Sequence, residues 1–195
     1  TGKPMSLHTP QFFFAQDRSL AEEAYAGDVV GIPNRGMLRI GDALTEGEDV
    51  TFLGIPSFAP EILRRIRLED AIRAKKLKDA LAEMAEEGVV QLFSPVDGTQ
   101  PIVGVIGALQ LDVLADRLQN EYGLPIGFES APCDTVRWIS SDDKAELARF
   151  MEKHRAQTAL DRDGAPVFLA TSAFNLEWTA ERAPQIRFAD VKATS

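Results

Sequence analysis

The chain of 195 residues has one cysteine, Cys133, and two histidines, His8 and His154. A lone cysteine excludes an internal disulfide and any cysteine-based zinc site. The histidines lie in unrelated segments, and no His-x-x-x-His pair exists, so no metal-ligand spacing is present. No apolar run approaches the ~18 residues that a membrane span needs. A Gly-x-x-x-x-Gly-Lys-Ser/Thr loop is also missing (Gly2-Lys3 runs straight into Pro4), which excludes P-loop hydrolysis of a nucleotide by these residues. Cations are scarce: 21 Lys and Arg stand against 30 Asp and Glu, a net charge of −9. Such a chain repels nucleic acid as a whole, and any contact with phosphate must come from a local patch. With no signal-peptide pattern, the cytoplasm is the expected compartment. What is present suits a folded protein: 45% hydrophobic and 26% charged residues, at a length that buries roughly 70% of the unfolded surface without a staple.

The first third reads as β structure. Pro4 to Leu7 and Gln11 to Phe14 are extended runs, and Asp17 to Glu23 is polar and compatible with a helix. Val29 to Ile32, Met37 to Ile40 and Asp49 to Leu53 follow, separated by glycine-containing turns. Short strands at roughly ten-residue spacing suggest a barrel or sandwich. Residues 1–57 supply only about five, which points to a partial barrel cut from something longer.

Beyond Pro60 strands alternate with helices. Ile62 to Leu68 is a strand and Asp70 an N-cap, its carboxylate placed to accept from first-turn amides. The helix from Ala71 to Glu87 puts Leu77, Leu81, Met84 and Ala85 on one stripe and stops at Gly88. Val89 to Phe93 and Ile102 to Ile106 form strands around the turn Asp97-Gly98. The helix Gln110 to Tyr122 stops at Gly123, and Ile126 to Glu129 completes the order βαββαβ. That is the split-βαβ, ferredoxin-like unit. Thr135 to Ile139 and Val167 to Ala170 read as further strands, and Asp142 to His154 as a helix started by Ser140 or Ser141. Ser172 caps a short helix through Arg182, and Ile186 to Phe188 ends the ordered chain. The expected architecture is α+β: a partial barrel over 1–57, then a ferredoxin-like domain over 58–195 with extra C-terminal strands and helices. No internal repeat is visible.

No catalytic constellation is present. Cys133 has no histidine near it and reads as a small residue in a turn region. Asp161-Arg162-Asp163-Gly164 begins like a calcium loop but lacks the downstream glutamate, so it reads as a polar turn. Gly104-Val-Ile-Gly107 matches the bare spacing of an RNA-clamping loop, yet sits between a strand and a helix where glycines serve close packing. One charge pattern stands out. Between Glu61 and Asp79 lie seven cations (Arg64, Arg65, Arg67, Arg73, Lys75, Lys76, Lys78) and four acids. Alternation puts Arg65 and Arg67 together, opposite Ile62, Ile66 and Leu68. Arg73 and Lys76 are helical neighbours. A solvated face with intrachain ion pairs is the simpler account, and a phosphate-contacting surface the functional one. Arg64 falls on the apolar side, where it needs a carboxylate partner or a position at the sheet's end.

The run Gly54-Ile-Pro-Ser-Phe-Ala-Pro-Glu-Ile-Leu-Arg-Arg-Ile-Arg-Leu68 resembles the junction of the second and third domains of the bacterial peptide-chain release factor 3 family. So do Ala85-Glu-Glu-Gly-Val-Val-Gln-Leu-Phe93, Val103-Gly-Val-Ile-Gly-Ala-Leu-Gln-Leu-Asp-Val113 and Arg117-Leu-Gln-Asn-Glu-Tyr-Gly123. Ala24-Tyr-Ala-Gly-Asp-Val-Val-Gly31 and Arg39-Ile-Gly-Asp42 are similar to the family's barrel. Thr135-Val-Arg-Trp138 and Ala159-Leu-Asp161 are similar to its C-terminal part. The resemblance implies the rear of a translational GTPase that uses GTP, bound in an N-terminal domain, to help class I release factors leave the ribosome after peptide release. It implies docking on the small subunit through ribosomal RNA and protein. No catalytic, nucleotide-binding or metal residue of the family has a position here, so the fragment itself is expected to be no enzyme and to hold no cofactor. With the resemblance, Arg65, Arg67, Arg73, Lys75, Lys76 and Lys78 become candidate contacts to ribosomal RNA. Two alternatives stay open: a ferredoxin-like regulatory module that binds a small molecule, and a fragment of another translational GTPase such as a translocase.

Overall fold

The computed structural model describes Ser6 and residues 10–14, 17–33, 38, 41–46, 48, 50, 57–68 and 70–192. The chain forms two compact units, Thr1–Asp42 and Ala43–Ser195. In the first, β1 (Gln11–Phe14), β2 (Asp17–Leu20) and β3 (Val30–Gly31) make an antiparallel sheet in the order β2-β1-β3. The segment from Asp17, compatible with a helix by composition, is therefore a strand. Phe14 pairs with Asp17 and Gln11 with Leu20, so the two segments run antiparallel side by side. A helix there would leave that edge of β1 without backbone partners. The expected strands Pro4 to Leu7, Met37 to Ile40 and Asp49 to Leu53 lie almost wholly outside the described residues.

The second unit opens with β4 (Ile62–Leu68), then α1 (Ala74–Glu86), β5 (Gln91–Pro95), β6 (Ile102–Val105), α2 (Leu109–Asn120) and β7 (Ile126–Ser130). It continues with β8 (Thr135–Ser140), α3 (Lys144–Lys153), β9 (Thr158–Asp161), β10 (Pro166–Ala170), α4 (Ala173–Arg182) and β11 (Arg187–Ala189). All eight strands join one antiparallel sheet in the order β11-β8-β10-β9-β5-β6-β4-β7. The first six elements give the ferredoxin-like order expected. The last six give it again: β11-β8-β10-β9 repeats β7-β4-β6-β5, and the two halves meet through β5 and β9. The extra C-terminal elements are thus a second βαββαβ unit, and the expectation of no internal repeat is corrected. β9 has no clear sequence signature because four residues, Thr-Ala-Leu-Asp, carry too little alternation to announce a strand.

Local signals explain the helix ends. Asp70 Oδ1 accepts from the Ile72 amide at 3.0 Å and its carbonyl from Arg73 at 3.0 Å, which starts a 3-10 turn (Ala71–Arg73) leading into α1. Gly88, at φ +74°, ends the helix in the left-handed region that favours glycine. Ser172 Oγ caps α4 by accepting from Asn175. α3 is capped by Asp143, whose carboxylate accepts from Ala145 and Glu146, rather than by Ser140 or Ser141.

Three cores result. α1 and α2 bury Leu77, Leu81, Met84, Leu114 and Leu118 against Ile66, Val103 and Val105. α3 and α4 cover Ile139, Phe168 and Ala170, where Phe150, Phe168 and Phe188 pack edge to face or tilted. Between them, Leu63, Phe93 and Ile102 of the first half pack with Val136, Trp138, Val167 and Leu169 of the second. These seven side chains all point away from the helices. The helix-free faces of the two half-sheets therefore cover each other around these residues, so the middle of the sheet is buried on both sides. Residues 57–59 pair with 190–192 (Ala59 N–H to Asp190 O 2.7 Å, Lys192 N–H to Ser57 O 2.9 Å), which ties the start of this unit to its end.

Candidate nucleic-acid interface

The six cations singled out by charge separate into two groups. Register puts Leu63, Arg65, Ile102 and Phe93 on the helix-free face of the sheet, and Ile62, Arg64, Ile66, Val103 and Leu92 on the face that α1 and α2 cover. Arg65 and Arg67 therefore point away from α1, while Lys75, Lys76 and Lys78 stand exposed on it. The strand and helix cations therefore face different sides of the sheet. Alternation places the strand residues correctly relative to one another, but which face the helix covers is decided by tertiary packing.

The strand cations differ from one another. Arg65 is half-buried and its Nε has no hydrogen-bond partner among the described residues. Arg67 reaches Glu129 at 3.9 Å. Arg64, awkward on the apolar side, lies opposite Ser130 at the last position of β7 and donates to the Leu63 carbonyl at 2.8 Å. Among the described residues its partner is a backbone carbonyl rather than the expected carboxylate, beside the end of β7.

The helix cations differ. Arg73 donates to the Gly123 carbonyl at 2.7 Å and lies 3.4 Å from Asp70, so it pins the start of α1 to the end of α2. Lys75, Lys76 and Lys78 make no ion pair among the described residues, and α1 has no acidic residue in its first turn. Positive charge near a helix N-terminus opposes the helix dipole. These lysines are therefore not placed to stabilise their own helix. They concentrate positive potential at an exposed end in a chain of −9.

The remaining candidates resolve into structure. Cys133 is buried, and burial, helped by the Asp134 charge, pushes its thiol up to about 11. Asp161 and Asp163 hold the ammonium of Lys192, at 2.7 and 2.6 Å. Asp161 also accepts from the Trp138 indole at 3.0 Å and from the amides of Asp163 and Ala165. The two carboxylates are thus engaged by a side-chain ammonium and by the amides of their own turn. In the Gly-x-x-Gly segment, a Cβ on Gly104 would lie 2.5 Å from Pro60 Cγ and 3.0 Å from Phe93. The amides of Ile106 and Gly107 are held by the Gln110 side chain at 2.8 and 3.2 Å. This loop is occupied by packing and by its own helix. Charge and spacing point to none of the exposed aromatic residues of α4, because a Phe and a Trp four apart look like one more core stripe.

Two family models match the chain. Residues 52–180 match the model of "Class II release factor RF3, C-terminal domain", and residues 1–47 match "Elongation factor G domain 2". The first match takes in both βαββαβ units up to α4, with the lysine-bearing helix inside it. The second covers the three-stranded β sheet. The chain therefore belongs to the class II release factor RF3 family of translation factors and carries the C-terminal part of that translational GTPase.

Proposed function

We propose that residues 58–195 are a ribosome-docking domain and that residues 1–57 are the barrel portion that joins it to a nucleotide-driven domain. In this reading the assembled factor uses GTP in that other domain to dislodge a class I release factor from the small subunit after peptide release. Residues 1–195 supply adhesion and leverage. The observation that carries the reading is the match of residues 52–180 to the release factor model, together with the three exposed lysines of α1, which make no ion pair among the described residues. The fold suits a lever: a sheet whose middle is covered on both faces, with the stretch before β4 tied to the stretch after β11, moves as a unit. The strand cations Arg65 and Arg67 drop out of the RNA-facing set, and Arg73 contributes charge while holding α1 in place.

The test is co-sedimentation of the chain with purified ribosomes and with isolated small subunits. Binding at low salt that weakens as salt rises, and that persists on small subunits alone, supports the reading. No sedimentation at any salt overturns it. A thermal-shift screen with metabolites separates the small-molecule module: a clear shift with one compound, without ribosome binding, favours that alternative.

A further inference from the structure

On α4, Phe174, Trp178 and Arg182 recur every four residues and so share one face of the helix. Phe174 is 73% exposed and Trp178 45%. The Arg182 guanidinium lies 3.8 Å from the centre of the Trp178 ring and donates to the Trp178 carbonyl at 3.4 Å. The buried side of α4 uses other residues, Leu176, Thr179 and Ala183. The domain's own core therefore does not need this ridge. Beside it, Glu177 and Glu181 form a parallel exposed stripe, also four residues apart.

We propose that this ridge is a docking anchor for a Lys/Arg-rich polypeptide segment on the ribosome. Trp and Arg dominate protein–protein hot spots and Phe is enriched at interfaces, because large aromatic surfaces give contact area at a small entropy cost. Arg182 holds the indole in place before any partner arrives. The occupant is set by charge. A cationic polypeptide meets the carboxylates of Glu177 and Glu181 and lays its aliphatic stems across the two rings. An RNA backbone would meet those same carboxylates, with the ridge's one cation already stacked on Trp178. The inference rests on the ribosome reading and extends it: α1 takes RNA, and α4 takes protein.

The experiment uses the whole chain and intact ribosomes. p-Benzoylphenylalanine replaces Phe174, the complex is irradiated, and the crosslinked species is digested separately with ribonuclease and protease. In parallel, sedimentation affinity is measured for Trp178→Ala and for Glu177→Lys with Glu181→Lys. These positions face solvent, and circular dichroism verifies the fold. A crosslink to a basic ribosomal protein, with affinity reduced tenfold or more in both variants, is the expected result. A crosslink to RNA overturns the proposal, as does unchanged affinity in either variant while the parent chain still sediments. Failure of the parent chain itself to sediment removes the ribosome reading, and this inference with it.

Discussion

Replacing Lys75, Lys76 and Lys78 together by glutamine removes three charges while leaving helix propensity nearly unchanged, since Lys and Gln rank alike. All three are exposed and without ion pairs among the described residues. The global fold should therefore respond by no more than about 0.5 kcal/mol. Binding should respond strongly. Each phosphate neutralised contributes about 0.7–0.9 to the slope of log affinity against log salt. Three lysines on RNA should thus flatten the slope by about 2–2.7. Between 50 and 200 mM salt, that corresponds to about 20–40-fold less salt sensitivity than the parent chain shows. Sedimentation with ribosomes across a salt series measures the slope directly. Arg67→Gln is the internal control. Arg67 faces away from α1 and lies beside Glu129, so its replacement should leave the slope unchanged. If the triple replacement left the slope unaltered, or if Arg67→Gln flattened it equally, the assignment of RNA contact to α1 would be refuted.

Three further outcomes follow from the packing. Asp161→Asn places an amide N–H₂ where the Trp138 indole and the Lys192 ammonium now donate to a nearly buried carboxylate; urea unfolding should show a loss of about 2–4 kcal/mol, and a loss below 0.5 kcal/mol would show that the tether is dispensable. Gly104→Ala drives a methyl group to 2.5 Å from Pro60 and 3.0 Å from Phe93, and should destabilise by about 1–3 kcal/mol, with an unchanged unfolding midpoint counting against that contact. Cys133, pushed up to about 11 by burial and the Asp134 charge, keeps its proton longer in the folded than in the unfolded chain. Its contribution to stability is therefore constant below about pH 9 and is lost between about 9 and 11 as the unfolded thiol ionises first. A thiol reagent at pH 8 should label it only as fast as the fold opens, and labelling at the rate of a free thiol would contradict its burial.

Much of the second unit was readable from residue order. The stripe of Leu77, Leu81, Met84 and Ala85 is buried as its spacing requires, and Gly88 and Gly123 end their helices at positive φ. These are local properties: a period of 3.6, a residue without Cβ, a carboxylate before a first turn. The candidate interface was only half readable. Lys75 and Lys78, three apart, are neighbours on any helix, whereas Lys76 and Lys78, two apart, flank the buried Leu77 on opposite sides. Whether Arg65 and Arg67 join them depends on which face of β4 the helices cover, and the strand itself does not encode that choice.

What the sequence determined alone was therefore set mostly within about one turn or one strand: the alternation of strands and helices beyond Pro60, the glycine stops of α1 and α2, the buried stripe of α1, and the family. Tertiary structure decided the features that depend on distant pairings. β2 became a strand because β1 needed its backbone partners filled. The second βαββαβ became recognisable only when β9 found β5 and β10. Lys192 became the cation of an aspartate loop 29 residues away. Trp178 and Phe174 were left in water because the core beneath α4 was already filled by Leu176, Ala183 and the ring cluster of Phe150, Phe168 and Phe188. Side-chain identity sets what each residue can do; competition for a limited interior decides which of them are left outside to do it.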